Sequence, residues 1–149
     1  MSTNLKSVAF IINTILVSIL ASASFFGCNK KESIASVENS VYENITPKKA
    51  KDMIRANSGN ESFIILDIRT PEEYETGYIE GAVNTDYYSD TFRKNLSKMQ
   101  KNRTYLVYCR SGNRSGKTFE IMKELGFEQV YNMTGGMNDW MAEGFPVIK

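Results

Sequence analysis

Thr104-Tyr105-Leu106-Val107-Tyr108 runs directly into Cys109-Arg110-Ser111-Gly112-Asn113-Arg114-Ser115, and Lys117 to Leu125 then follows a helical pattern. A short apolar run of this kind reads as a strand buried on both faces. A lone cysteine therefore stands where a strand ends and a helix begins. Such junctions in α/β proteins gather backbone N–H groups and the positive end of a helix around one point. That environment favours a thiolate over a thiol. Arg110 and Arg114 add to the field and mark the reactant as an anion. The segment reads as a cysteine nucleophile in an anion cradle.

The surrounding pattern sets the fold class. Thr46-Pro47 opens a helix with Ala50, Met53 and Ile54 on its apolar face, and Asn57-Ser58-Gly59-Asn60 ends it. Phe63-Ile64-Ile65-Leu66 is a second buried strand, ending at Asp67-Ile68-Arg69. Thr70-Pro71-Glu72-Glu73 starts a short helix through Tyr74, its acids read as a solvated first turn that suits the helix dipole. Ala82-Val83-Asn84 is a short strand, Thr91 to Met99 is helical, and Gly126 caps the helix that follows the cysteine. Gln129 to Met133 is a further strand, and Gly135-Gly136 precedes a last helix around Trp140. Strands alternating with helices predict an α/β fold with a mainly parallel sheet. In such sheets ligands bind beyond the carboxyl ends of the strands, where Asp67 and Cys109 both fall.

Composition excludes several functions. The chain has 149 residues, the size of one domain. With 42% hydrophobic and 23% charged residues it is not a disordered chain. Lys6 is the only charged side chain before Cys28, and the remainder has no net charge, so nothing points to nucleic acid as a partner. There is no histidine, which excludes Ser-His-Asp and Cys-His machinery and His-ligated metal. Two cysteines alone cannot build a thiolate zinc site. A Cys28–Cys109 disulfide stays formally open unless Cys28 is used otherwise.

Residues 8–27 form a largely apolar run ending Ser24-Phe25-Phe26-Gly27-Cys28, preceded by Lys6 and followed by Asn29-Lys30-Lys31-Glu32-Ser33. This is the order of a secretory signal with a small residue before the cut. The Gly27-Cys28 pair resembles the lipobox of bacterial lipoproteins, although Phe25 stands where leucine is usual. The resemblance implies a signal over residues 1–27, lipid on Cys28, a polar tether over residues 28–40 and a folded domain over residues 41–149. It also implies a bacterial cell-envelope location, membrane-anchored and facing the periplasm or the exterior. An uncleaved membrane anchor and a simple cleaved signal are the alternatives, and both also export the domain.

Three segments of the domain, taken together, resemble the rhodanese family of sulfurtransferases. They are Asp67-Ile68-Arg69 with Glu73-Tyr74 and Gly77-Tyr78-Ile79-Glu80-Gly81-Ala82-Val83-Asn84; Cys109 to Ser115; and Gly135-Gly136-Met137-Asn138-Asp139-Trp140 with Gly144-Phe145-Pro146-Val147. Tyr78 stands where the family usually has histidine. The resemblance implies a rhodanese-like α/β domain, its mainly parallel sheet of about five strands flanked by helices on both faces. Four residues separate Cys109 from Arg114. Sulfur-transferring members have a loop of that size, and the related phosphatases and arsenate reductases have one residue more.

The implied chemistry is sulfur transfer in two steps, with thiosulfate or a similar sulfane-sulfur donor and a thiol or protein acceptor. Cys109 is the nucleophile and carries a persulfide, whose outer sulfur sits among the N–H groups of residues 110 to 114. Arg110 binds the anionic donor. Arg114 anchors the loop or the anion, with a structural salt bridge as the alternative. Ser111, Gly112, Asn113 and Ser115 shape the loop. Asp67 holds the loop or an arginine, and Arg69 makes a salt bridge or touches the donor. No metal or organic cofactor is implied. A persulfide carrier without turnover is the competing reading, and a small phosphatase or arsenate reductase a more distant one.

Overall fold

The computed structural model describes residues 40–149; the expectations for the signal, the tether and Cys28 lie outside the described residues. Its elements, in chain order, are β1 (Val41–Ile45), α1 (Pro47–Ala56), β2 (Phe63–Asp67), α2 (Pro71–Glu75), β3 (Ala82–Asn84), α3 (Phe92–Ser97), β4 (Thr104–Tyr108), α4 (Asn113–Glu124), β5 (Gln129–Met133) and α5 (Gly136–Ala142). The five strands form one sheet in the order β1-β5-β4-β2-β3, and every pairing is parallel.

The helix starts follow from local chemistry. Thr46 accepts the Lys49 N–H at 3.3 Å ahead of Pro47. Thr70 and Glu73 form a reciprocal capping box around Pro71. Gly126 takes φ +77° just past α4, as the cap requires.

Successive strand residues feed opposite faces of the sheet. Tyr105, Val107 and Cys109 join Leu66, Phe92, Leu96, Phe119 and Met122 in one core, under α3 and α4. Leu106 and Tyr108 join Ile45, Ala50, Met133, Met137 and Trp140 in the other, under α1 and α5. A strand buried on both sides has no polar face, hence its continuous apolar run.

Two elements differ from the sequence reading. β1 was not expected. Among the described residues it is an edge strand paired only with β5, and its residues Val41-Tyr42-Glu43-Asn44-Ile45 are mostly exposed or half-buried, so they show neither an apolar run nor a clean alternation. The helix after the cysteine begins at Asn113, not near Lys117. Gly112 is its N-cap at φ +88°, so Arg114 and Ser115 belong to its first turn and not to a loop. Polar residues there obscured a start that the glycine makes possible.

Candidate active site

β4 and β2 are central neighbours, with Tyr108 in register with Asp67. The chain leaving both strands therefore meets at one edge of the sheet. Ile68 donates its N–H to the Tyr108 carbonyl at 3.0 Å, which joins the two exits.

Cys109 is buried, 1% exposed. The Gly112 N–H points at its sulfur at 3.2 Å, and the Ser115 hydroxyl stands 3.6 Å away. No side chain caps α4; the sulfur lies where a capping oxygen would. Burial pushes the thiol pKa up. The Ser115 hydroxyl and the N–H groups of Ser115, Ser111 and Gly112 outweigh it, and the thiol lies below its ordinary value. The donors on the Cys109 sulfur itself thus come from residues 111, 112 and 115.

The three arginines near the loop are in different states. Arg69 is buried on Asp67: its Nε lies 3.0 and 2.9 Å from the two carboxylate oxygens and its Nη2 2.6 Å from Oδ2. A further bond runs from Nη2 to the Gly77 carbonyl at 2.8 Å. Asn84 donates to the Asp67 and Arg69 carbonyls at 3.1 and 2.9 Å, tying β3 to the same corner. Of the roles weighed for Asp67, holding an arginine is the one present.

Arg114 donates through both terminal nitrogens to Glu73, each at 2.7 Å. Of the two readings of Arg114, the salt bridge is realised, and its guanidinium faces Glu73. The pairing raises the Arg114 pKa and lowers that of Glu73. Arg110 is exposed and makes no ion pair among the described residues. It lines a cleft of about 430 Å³ with Arg69, Glu72, Glu73, Thr76, Met137, Asn138 and Met141. The Ser111 and Asn113 side chains are exposed.

The sequence reading missed two parts of the site. Glu73 was read as one of several solvated acids. The pattern Thr70-x-x-Glu73 discloses its capping role, but nothing local discloses Arg114, 41 residues away. The other part is the Gly135-Gly136 turn. Met137 N–H bonds the Cys109 carbonyl at 2.9 Å, and Asn138 N–H bonds the Arg110 carbonyl at 3.0 Å. These bonds draw the carbonyls toward α5. A Cβ on Gly112 would lie 2.9 Å from the Gly135 nitrogen, so the loop and this turn are packed backbone to backbone.

Comparison with known proteins found likenesses over most of the described residues. The model of the Rhodanese-like domain matches residues 46–143. A sulfurtransferase of Allochromatium vinosum is 33% identical over 88 residues, which is 59% of this chain and 80% of that protein. A thiosulfate sulfurtransferase of Escherichia coli is 36% identical over 74 residues, 50% of this chain and 70% of that one. The crystal structure of a rhodanese-like domain protein from Staphylococcus aureus superposes with a TM-score of 0.56 at 34% identity, covering 72% of this chain and 99% of that one.

Proposed function

Because the chain belongs to the rhodanese-like domain family, whose relatives support a sulfurtransferase class, we propose that it moves a sulfane sulfur from thiosulfate or a similar donor to a thiophilic acceptor through a persulfide on Cys109. The single observation that carries this reading is the Cys109 sulfur at the start of α4, facing the Gly112 N–H and the Ser115 hydroxyl.

The thiolate attacks the outer sulfur of thiosulfate. The S–S bond of the donor breaks, sulfite leaves with its electron pair, and the enzyme keeps a persulfide anion. N–H donors turned toward that sulfur stabilise its charge. An acceptor thiolate, or cyanide in an assay, then attacks the outer persulfide sulfur and returns Cys109 to the thiolate. Arg110, exposed beside Cys109 and without an ion pair among the described residues, steers and holds the anionic end of the donor.

Mass spectrometry after incubation with thiosulfate tests the central step. Cys109 gains one sulfur while an equivalent of sulfite appears, and Cys109→Ser gains none. A wild-type protein that gains no sulfur on Cys109 overturns the mechanism. Persulfide that forms but never turns over with excess acceptor transfers the reading to a carrier.

The location is proposed on residues 8–28 alone: an exported lipoprotein with its lipid on Cys28, working at the membrane surface of a bacterial cell envelope. Labelled fatty acid enters the wild type and not Cys28→Ala. Wild-type protein that takes up no label and keeps residues 1–27 replaces this reading with a spanning anchor.

A further inference from the structure

Arg114 lies in the first turn of α4, one residue before Ser115, whose hydroxyl reaches the Cys109 sulfur. The charge on that sulfur is among the influences that hold the Arg114 proton. A free guanidinium at this point would act with Arg110 and the loop N–H groups as a receptor for a tetrahedral oxyanion. It is not free. Glu73 closes on it with both carboxylate oxygens, and the Tyr88 ring lies 5.5 Å from the guanidinium carbon.

Helix α2 does not require this. At the third position of a capping box the side chain needs only to accept the Thr70 N–H, and glutamine serves as well as glutamate. Glu73 meets that need with Oε2 at 3.2 Å. Its second oxygen bonds only Arg114 among the described residues, and its charge, which also suits the start of the helix and acts on Arg69, is paired directly with Arg114.

We propose that Glu73 is a specificity-determining positioning residue: by closing on Arg114 it withdraws that guanidinium from the anion site, leaves Arg110 as the one free guanidinium for the donor, and keeps the site from binding phosphate-like oxyanions tightly. This rests on the Cys109 loop being the donor's anion site.

The test is binding of inorganic phosphate to the full chain, purified in detergent and followed by ³¹P line broadening, which reads weak binding. Glu73→Gln keeps the cap and removes the charge, so Arg114 is released. Phosphate affinity rises fivefold or more, and the gain disappears in Glu73→Gln combined with Arg114→Met. A smaller rise in Glu73→Gln overturns the proposal. So does a rise that persists without Arg114, which would reflect only the lost negative charge. Should Glu73→Gln not fold, the charge-neutral double variant decides alone. Its affinity stays within fivefold of wild type if Arg114 takes no part in anion binding, and a larger loss overturns the proposal. Sulfite release from thiosulfate is assayed on the same samples. Its absence in wild type sinks the sulfurtransferase reading, whereas the phosphate titrations judge Glu73.

Discussion

Gly136 stands so close to Cys109 that a Cβ on it would lie 2.3 Å from the Cys109 carbonyl oxygen. The next contacts, at 2.8 and 2.9 Å, are the carbonyl carbon and oxygen of Arg110. All three are backbone atoms, and Gly136 itself has φ +58°. The start of α5 is thus the rear wall of the cysteine loop.

Gly136→Ala therefore suffers both overlap and strain. The expected loss is roughly 2–4 kcal/mol in urea denaturation. Sulfur transfer falls further than the folded fraction, because the loop carbonyls lose their anchors on Met137 and Asn138. A variant with unchanged stability and activity would mean that the loop tolerates displacement.

The depressed Cys109 pKa sets two pH dependences. On the proposed mechanism the rate of persulfide formation rises with pH as the thiolate forms, with a midpoint below the ordinary thiol value because N–H and hydroxyl donors face the sulfur. Ser115→Ala removes a donor to the sulfur and moves that midpoint upward. Stability has the matching sign. The thiolate's contribution is fully present above the unfolded thiol pKa and is lost as pH falls through the folded one. The stability difference between wild type and Cys109→Ser should grow with pH across that window in denaturant titrations.

Asp67 and Arg69 have side chains 0% and 5% exposed. Arg69→Met leaves a buried carboxylate unpaired, at a cost of about 3–5 kcal/mol. Removing both charges in Asp67→Leu with Arg69→Met costs less than the sum of the single changes. A double-mutant cycle by urea unfolding measures the coupling.

If thiosulfate is the donor as proposed, Arg110→Ala raises its apparent KM by the equivalent of about 1–3 kcal/mol for a lost charge-assisted hydrogen bond. Because the side chain is exposed and makes no ion pair among the described residues, the Tm stays within the scatter expected of surface changes. Steady-state kinetics with a thermal melt separates the two. An unchanged KM would mean that Arg110 points to solvent when the donor binds.

Short-range chemistry carried much of this protein in plain sight. The apolar runs of β2 and β4, the Thr46 and Thr70 caps, the Gly126 cap and the cysteine at a strand-to-helix junction each depend on residues within a turn or two of one another. Backbone sterics and hydrogen bonding act over that range, so the α/β class and the place of Cys109 at a strand-to-helix junction could be read from the chain alone. Tertiary structure decided which charges meet. Strand order sets β2 beside β4, and only then do Glu73 and Arg114 face each other across 41 residues of chain. The same convergence brings the Gly135-Gly136 turn onto the Cys109 and Arg110 carbonyls. It also pairs β1 with β5, 88 residues away at the Val41–Gln129 pair. Such contacts leave no periodicity behind, because their geometry comes from the sheet and not from the neighbours along the chain.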